Sequence, residues 1–460
     1  MGASCVLKIL SLFRGLMKMQ LFSFPFLSLL PMAAVRRGLQ QVSVLWMGSL
    51  VGSGSVFFIN ILMARNLGVS DFGVFGSIYA MATFLSIVAS FGISQFWLKV
   101  FGKEGWEAVR WVKPSVIVQA SMIIVSLIIL FVWSFFGPHD SVTRVVLLVM
   151  SGFVFGQIAI ELVYAKLQLE ERYTSLAFWQ ILPNLLRLIF IAYLFYGLEY
   201  TFSIIDVAFI YSLSGIFFAV LGFLKIRRFM KGDLDLKGHS KLASPVLRSM
   251  PLSNTRNVIH EVWPFGLAAI LAFIYMQIDI VMLRYMGGEV QAGYYNIAYI
   301  VVAASMIFPN VLYQKFFLPK YHRWINSDRD KLYGVYCFGV KAMLLMGLAI
   351  VFFILSMSWF FIPFMFGVEY EKSILLVNVL SMAIPIYFLA YNSGAVLITG
   401  DNIRVKVLIM AVVAVINIIL NSMLIPQYQA LGAAIATLLS YSLLLFLYEY
   451  TARNKVFINK

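Results

Sequence analysis

Charged residues are scarce in this chain of 460 residues: Asp, Glu, Lys and Arg make up 12% of it, about half the share usual in soluble globular domains. A water-facing surface needs more polar cover than that. A soluble enzyme, a nucleic-acid binder and a disordered tail are all excluded. Cysteine is limited to Cys5 and Cys337. They lie far apart, and Cys337 sits in an apolar run, which argues against a structural disulfide or a metal site. Motifs of catalysis are missing as well. The chain has no GxxxxGK[ST] phosphate loop, hence no ATP hydrolysis of its own, and no HExxH or Cys/His cluster. The four histidines, His139, His239, His260 and His322, fall in or near loops. The expectation is a non-enzyme with no cofactor and no metal.

Apolar and aromatic residues fill the space left by charge, at 62% of the chain with a mean hydropathy of +0.91. Lipid is therefore the solvent for most of it. At about 20 residues per span, a dozen spans fit. Apolar runs place them at about 42–65, 74–98, 114–136, 143–166, 176–196 and 204–224, then 261–284, 293–316, 332–357, 372–399, 403–425 and 430–452. Pro183, Pro309 and Pro385 inside spans are tolerable, because neighbouring helices can satisfy the freed backbone groups.

The net charge of +15 tests this topology. With a cytoplasmic N-terminus, 29 of the 35 basic residues fall on the cytoplasmic side, in alternate loops and both tails. The other side receives Arg65, Arg144, Arg284 and Lys372. Such an asymmetry is the orientation signal of membrane proteins. It predicts an all-α polytopic protein with twelve transmembrane helices, both termini cytoplasmic, and no need for nucleic acid as a partner. The outer loops are short, which argues against a membrane polymerase or glycosyltransferase.

Residues 1–41 precede the first span. Their first 34 are apolar but interrupted by Lys8, Arg14 and Lys18, with no signal-peptide pattern. They read either as an interfacial amphipathic helix or as an upstream extension with the start near Met32.

The chain also repeats. INILMARNLGVSDFGVFGSIYAM (59–81) matches IDIVMLRYMGGEVQAGYYNIAYI (278–300). Asn60, Met63, Arg65 and Gly68 align with Asp279, Met282, Arg284 and Gly287. After one inserted residue, Gly73, Phe75 and Tyr79 align with Gly293, Tyr295 and Tyr299. A weaker echo links FFGPHDSVTRVVLLV (135–149) to MFGVEYEKSILLV (365–377). Two six-span halves of equal orientation follow, related by an axis along the membrane normal, as in transporters that alternate access. The divisions are an N-lobe over 42–225, a basic linker over 226–260, a C-lobe over 261–452 and a tail over 453–460. The linker's basic residues read as topology signals or as contacts to anionic headgroups.

ARNLGVSDFGVFGSIYAM followed by SIVASFGISQFWLK resembles the opening of polysaccharide-biosynthesis flippases, O-antigen type included, of the multidrug/oligosaccharidyl-lipid/polysaccharide (MOP) exporter superfamily. QIDIVMLRYMGGEVQAGYYNIAY, MIFPNVLYQKFFLPKYHRW, WFFIPFMFGVEYEKS and IPQYQALGAAIATLLSYS extend the resemblance from about residue 38 onward. It implies a MATE-like fold, two lobes around a central cavity, in a bacterial inner membrane. The implied activity moves undecaprenyl-pyrophosphate-linked oligosaccharide to the outer leaflet for O-antigen, capsule or exopolysaccharide assembly, with ion coupling. Implied partners are the lipid-linked oligosaccharide, membrane lipids, a polysaccharide polymerase and a chain-length regulator. The runner-up is a multidrug or toxin cation antiporter of the same superfamily.

A pyrophosphate crossing the bilayer needs cations inside it, and charges within spans are costly. The substrate-binding candidates are Arg187 in mid-span 5, Lys341 in span 9, and the matched pair Arg65 and Arg284 at the outer ends of spans 1 and 7. Lys341 has snorkelling as its alternative. For the pair, the alternatives are capping helix ends or gating the outer face. The ion-coupling candidates are Glu161 and Asp279. Glu161 has the alternative of pairing with Arg187, and Asp279 that of pairing across helices. Polar residues such as Asn184, Asn296 and Asn392 line a sugar path or bind helices together.

Overall fold

The computed structural model describes residues 32–197, 203–236, 252–310, 329–398 and 403–457, plus three isolated positions, with side chains from Ser43 onward except at 308 and 310. The reading of 1–31 and residues 237–251 of the basic linker lie outside these residues.

Every regular element among the described residues is helical. A segment in lipid must satisfy its backbone groups internally, and a helix does so within one segment. The first helix, Met32–Ser90, breaks at Gly68 (φ 77°) into α1 (32–67) and α2 (69–90). A turn at Phe91 and Gly92, both with positive φ, leads into α3 (Ile93–Glu104). Then follow α4 (Val109–Phe136), α5 (Ser141–Val149), α6 (Ser151–Leu169), α7 (Tyr173–Ala192) and α8 (Ile204–Met230). The second half runs through α9 (Thr255–Met286), α10 (Glu289–Asn310), α11 (Arg329–Phe366), α12 (Ser373–Ser381) and α13 (Ala383–Val396). The last helix, Ile403–Thr451, breaks at Gln429 (φ 51°) into α14 (403–428) and α15 (430–451).

These elements lie where the apolar runs place spans, with differences at their ends. The second span is bent, because Gly92 turns the chain before α3. Spans 4 and 10 are each two helices, interrupted at Met150 and at Met382. Each interruption follows a helix of nine residues. The structure also shifts the repeat by one residue: the partner of Gly68 in positive φ is Gly288, not Gly287. The inserted residue therefore falls before the turn rather than after it.

Close packing is carried by small residues, as expected where lipid supplies no hydrophobic drive between helices. At α6 against α8, Gly156 faces Gly215, and a Cβ on Gly156 would lie 2.7 Å from the Gly215 carbonyl oxygen. The two halves touch at both ends. At the end carrying Gly68 and Gly288, α2 meets α10, where a Cβ on Gly73 would lie 2.6 Å from the Gly293 nitrogen. These two glycines are equivalent in the repeat. At the opposite end, Gly92 abuts Gly266 of α9, and Lys99 forms an ion pair with Glu261 at 2.8 Å.

Candidate functional site

Arg187 is the most deeply buried basic side chain described, at 1% exposure. Helix α7 carries it into a chamber whose other walls are α2, α6 and α8. Its Nε donates to Ser214 Oγ at 2.7 Å and one terminal nitrogen to Asn184 Oδ1 at 3.4 Å. The guanidinium lies over Tyr211 at 4.8 Å and over Phe153 at 5.1 Å. Tyr79 closes the box, its ring 5.7 Å from Tyr211 and 5.3 Å from Phe153. The remaining nitrogen, Nη2, is buried and donates no hydrogen bond. Among the described residues Arg187 has no carboxylate partner.

Glu161, on α6, does not neutralise it. Its carboxylate accepts from Ser90 Oγ at 2.5 Å and Ser94 Oγ at 2.6 Å. These serines flank the Phe91–Gly92 turn, so the acid staples the bend in the second span. This corrects the alternative that Glu161 pairs with Arg187.

Asp279 occupies the other half. It is fully buried on α9 and held by neutral donors. Asn421 donates to Oδ1 at 2.6 Å, Tyr295 donates to Oδ2 at 2.9 Å, and the Thr437 hydroxyl also donates to Oδ2. Asn417 extends this network to Ser440 at 3.1 Å. The acid thus ties α9 to α10, α14 and α15, and it is not paired with Arg284.

Arg284 and Arg65, equivalent in the repeat, do different work. Arg284 is buried and reaches from α9 across to the first half. It donates to Ser77 Oγ at 3.3 Å and Thr143 Oγ1 at 2.7 Å, and pairs with Glu289 at 3.3 Å. Next to it, Tyr285 hydroxyl meets His139 Nδ1 at 3.3 Å. Burial and the Arg284 charge push His139 below the ordinary histidine range. Arg284 is therefore a bridge between halves. Arg65 is exposed and caps α11, donating to the carbonyls of Met365, at 2.8 Å, and Phe364. A cation satisfying last-turn carbonyls is favoured by the helix dipole.

Lys341 is exposed on α11, where a long side chain can run along the helix to the headgroup region. The six sequence candidates are thus dispersed: Arg187 and, about two turns along α6 from its Phe153 contact, Glu161 in one half, Asp279 in the other, Arg284 between them, and Arg65 and Lys341 on the surface.

Residues 38–319 match the sequence profile described as polysaccharide biosynthesis protein. The chain belongs to that family. No curated protein sequence matches it. Among solved structures, it is similar to the lipid II flippase MurJ in an inward closed conformation, at 15% identity and a TM-score of 0.66 over 90% of this chain and 88% of that one. An inward-facing multidrug resistance MATE transporter of the MOP superfamily matches at 16% identity and a TM-score of 0.64, over 91% of this chain and 98% of that one. An outward-facing MATE transporter matches at 16% and 0.60, over 90% and 95%. At such identity these likenesses establish the fold: this is a multi-pass membrane protein built as the MOP transporters are.

Within this family member, sequence reasoning missed the partners more than the charges. Tyr79, Phe153 and Tyr211 are hidden by the abundance of aromatics, 16% of the chain. Asn417 and Asn421, four apart in an apolar helix and so on one face, were a legible signal of a buried polar seam.

Proposed function

We propose that the protein is a flippase for polyprenyl-pyrophosphate-linked oligosaccharide in a bacterial inner membrane, working by alternating access of its two halves. The reading includes twelve crossings with both ends cytoplasmic, lobes over 42–225 and 261–452, and a polymerase and chain-length regulator acting on the product.

One observation carries it. A guanidinium sits inside the bilayer with no acid against it and one nitrogen unbonded. Burying a charge without a counter-ion is costly. Its retention is accounted for if an anion takes the unbonded position during part of the cycle. Pyrophosphate or an acidic sugar supplies that anion. The aromatic box suits a sugar face as well as a cation. In the closed arrangement the chamber is sealed, so the helices around Arg187 must part for access. A cation antiporter, the second reading, gains nothing from an uncompensated arginine. Among the proposed coupling groups, Asp279 and Glu161 are carboxylates bonded only to neutral donors among the described residues, so each can exchange a proton without breaking an ion pair. Lys341, Arg65 and Arg284 are lesser candidates for contact with the substrate.

The test is complementation of a strain lacking the gene, with surface glycan and lipid-linked repeat units both measured. Arg187→Ala should abolish glycan and trap repeat units at the cytoplasmic leaflet with expression intact, while Arg187→Lys partly restores transport. Normal glycan in the Ala variant removes the site, and normal glycan in the deletion strain removes the function.

A further inference from the structure

A cavity of about 410 Å³ lies on the first half, at the ends of α6 and α8 opposite Gly68. Its base is Glu170, the C-cap of α6, with only 3% of its side chain exposed. Oε1 accepts from Lys166 at 3.0 Å and from the Asp235 backbone N–H at 3.4 Å. Leu234 and Leu236 are buried, so the start of the linker folds back as one wall. Oε2 accepts no hydrogen bond and is met only by an ion pair with the exposed Arg172, Nε to Oε2 3.6 Å. The opposite wall carries Lys225 and Arg228, three apart on α8 and hence on one face. Neither forms an ion pair with a described residue. Lys225 lies 4.8 Å over the Trp179 ring, and Val163 and Leu167 supply an apolar edge.

The cavity therefore offers two signs at once. Its free cations call for a phosphate. Its buried carboxylate oxygen calls for an N–H donor. Asp233 and Asp235 also line it, and they disfavour a multiply charged anion such as pyrophosphate. We propose that this cavity holds the headgroup of a zwitterionic aminophospholipid from the cytoplasmic leaflet, its phosphate on Lys225 and Arg228 and its primary ammonium on Glu170 Oε2. The site rests on the membrane orientation proposed above, which sets these helix ends at headgroup depth beside Trp179. It does not rest on the transported substrate.

The full-length protein, purified and delipidated, is equilibrated with vesicles of equal phosphatidylethanolamine, phosphatidylcholine and phosphatidylglycerol. Retained lipid is counted by native mass spectrometry. Phosphatidylethanolamine should exceed phosphatidylcholine by about tenfold, the worth of one hydrogen bond to a charged group, because the trimethylated headgroup has no N–H to donate. Glu170→Gln should erase that preference. Should that variant fail to fold, Lys225→Gln with Arg228→Gln, at the far wall, should lower retention of all three lipids by about tenfold. Phosphatidylglycerol retained as well as phosphatidylethanolamine would overturn the proposal in favour of simple anion binding. Displacement of the lipid by excess inorganic phosphate or soluble phosphoethanolamine would overturn the lipid source. Equal retention of the ethanolamine and choline lipids overturns the role of Glu170. Retention is read without transport, so the flippase reading and this site can fail separately.

Discussion

Arg284 provides the sharpest test of how the two halves are held together. Its side chain is 5% exposed and spans from α9 to Ser77 on α2 and Thr143 on α5. The Thr143 bond is short and the Ser77 bond is long. Hydrogen bonds to a charged group contribute about 1.5–3 kcal/mol each, so one full bond and one weak one contribute about 2 kcal/mol to the contact. Glu289 adds little, because it is 46% exposed and a rim ion pair is screened. Ser77 keeps its own bond to the Val74 carbonyl at 2.7 Å, so Arg284→Met leaves no orphan there. The loss should shift the equilibrium toward separated halves by ~30-fold. Labelling reads this directly. With Cys5 and Cys337 replaced, Ser77→Cys is fully buried beneath the contact and reacts with an impermeant maleimide only when the halves part at this end. Arg284→Met should raise its labelling rate by about the same factor, and Glu289→Gln by less than about fivefold. An unchanged rate in Arg284→Met would refute the reasoning, since it would mean that the Gly73–Gly293 contact alone sets the closure.

Gly156→Val should lower the thermal stability of the purified protein and its monodispersity, by about 1–3 kcal/mol of overpacking, because its Cβ meets the Gly215 backbone rather than a movable side chain. Gly54→Ala, with nothing within 4 Å of the new carbon, is the control and should leave melting unchanged. If Glu161 carries coupling protons, Glu161→Gln should lose the pH-gradient dependence of transport in vesicles while Ser90 and Ser94 still hold the bend. Retained dependence moves coupling to Asp279 or to another group.

The spans were legible because lipid imposes one simple rule, length and apolarity, and the basic residues sort by loop. The repeat was legible because glycines at close approaches are constrained: Gly73 and Gly293 were aligned by sequence and meet face to face. The alignment slipped by one at Gly288, where only the backbone dihedral tells which glycine makes the turn. Roles of charged residues were less legible. Arg65 and Arg284 look equivalent in sequence, yet one is an exposed helix cap and the other a buried bridge. Their chemistry depends on which carbonyls and hydroxyls other helices bring within about 3 Å, and a repeat pattern carries no such information. Glu161 and Arg187, on consecutive spans, invited pairing, but Arg187 meets α6 at Phe153, about two turns from Glu161.

The sequence by itself therefore determined the membrane setting and the helical segments, because these follow from how much apolar surface each stretch carries. The tertiary structure alone decided which buried charges are satisfied. Asp279 is satisfied by donors from three helices, Glu161 by a bend, and Arg187 only in part. Satisfaction is a matter of distances between segments far apart in the chain, and packing sets those distances.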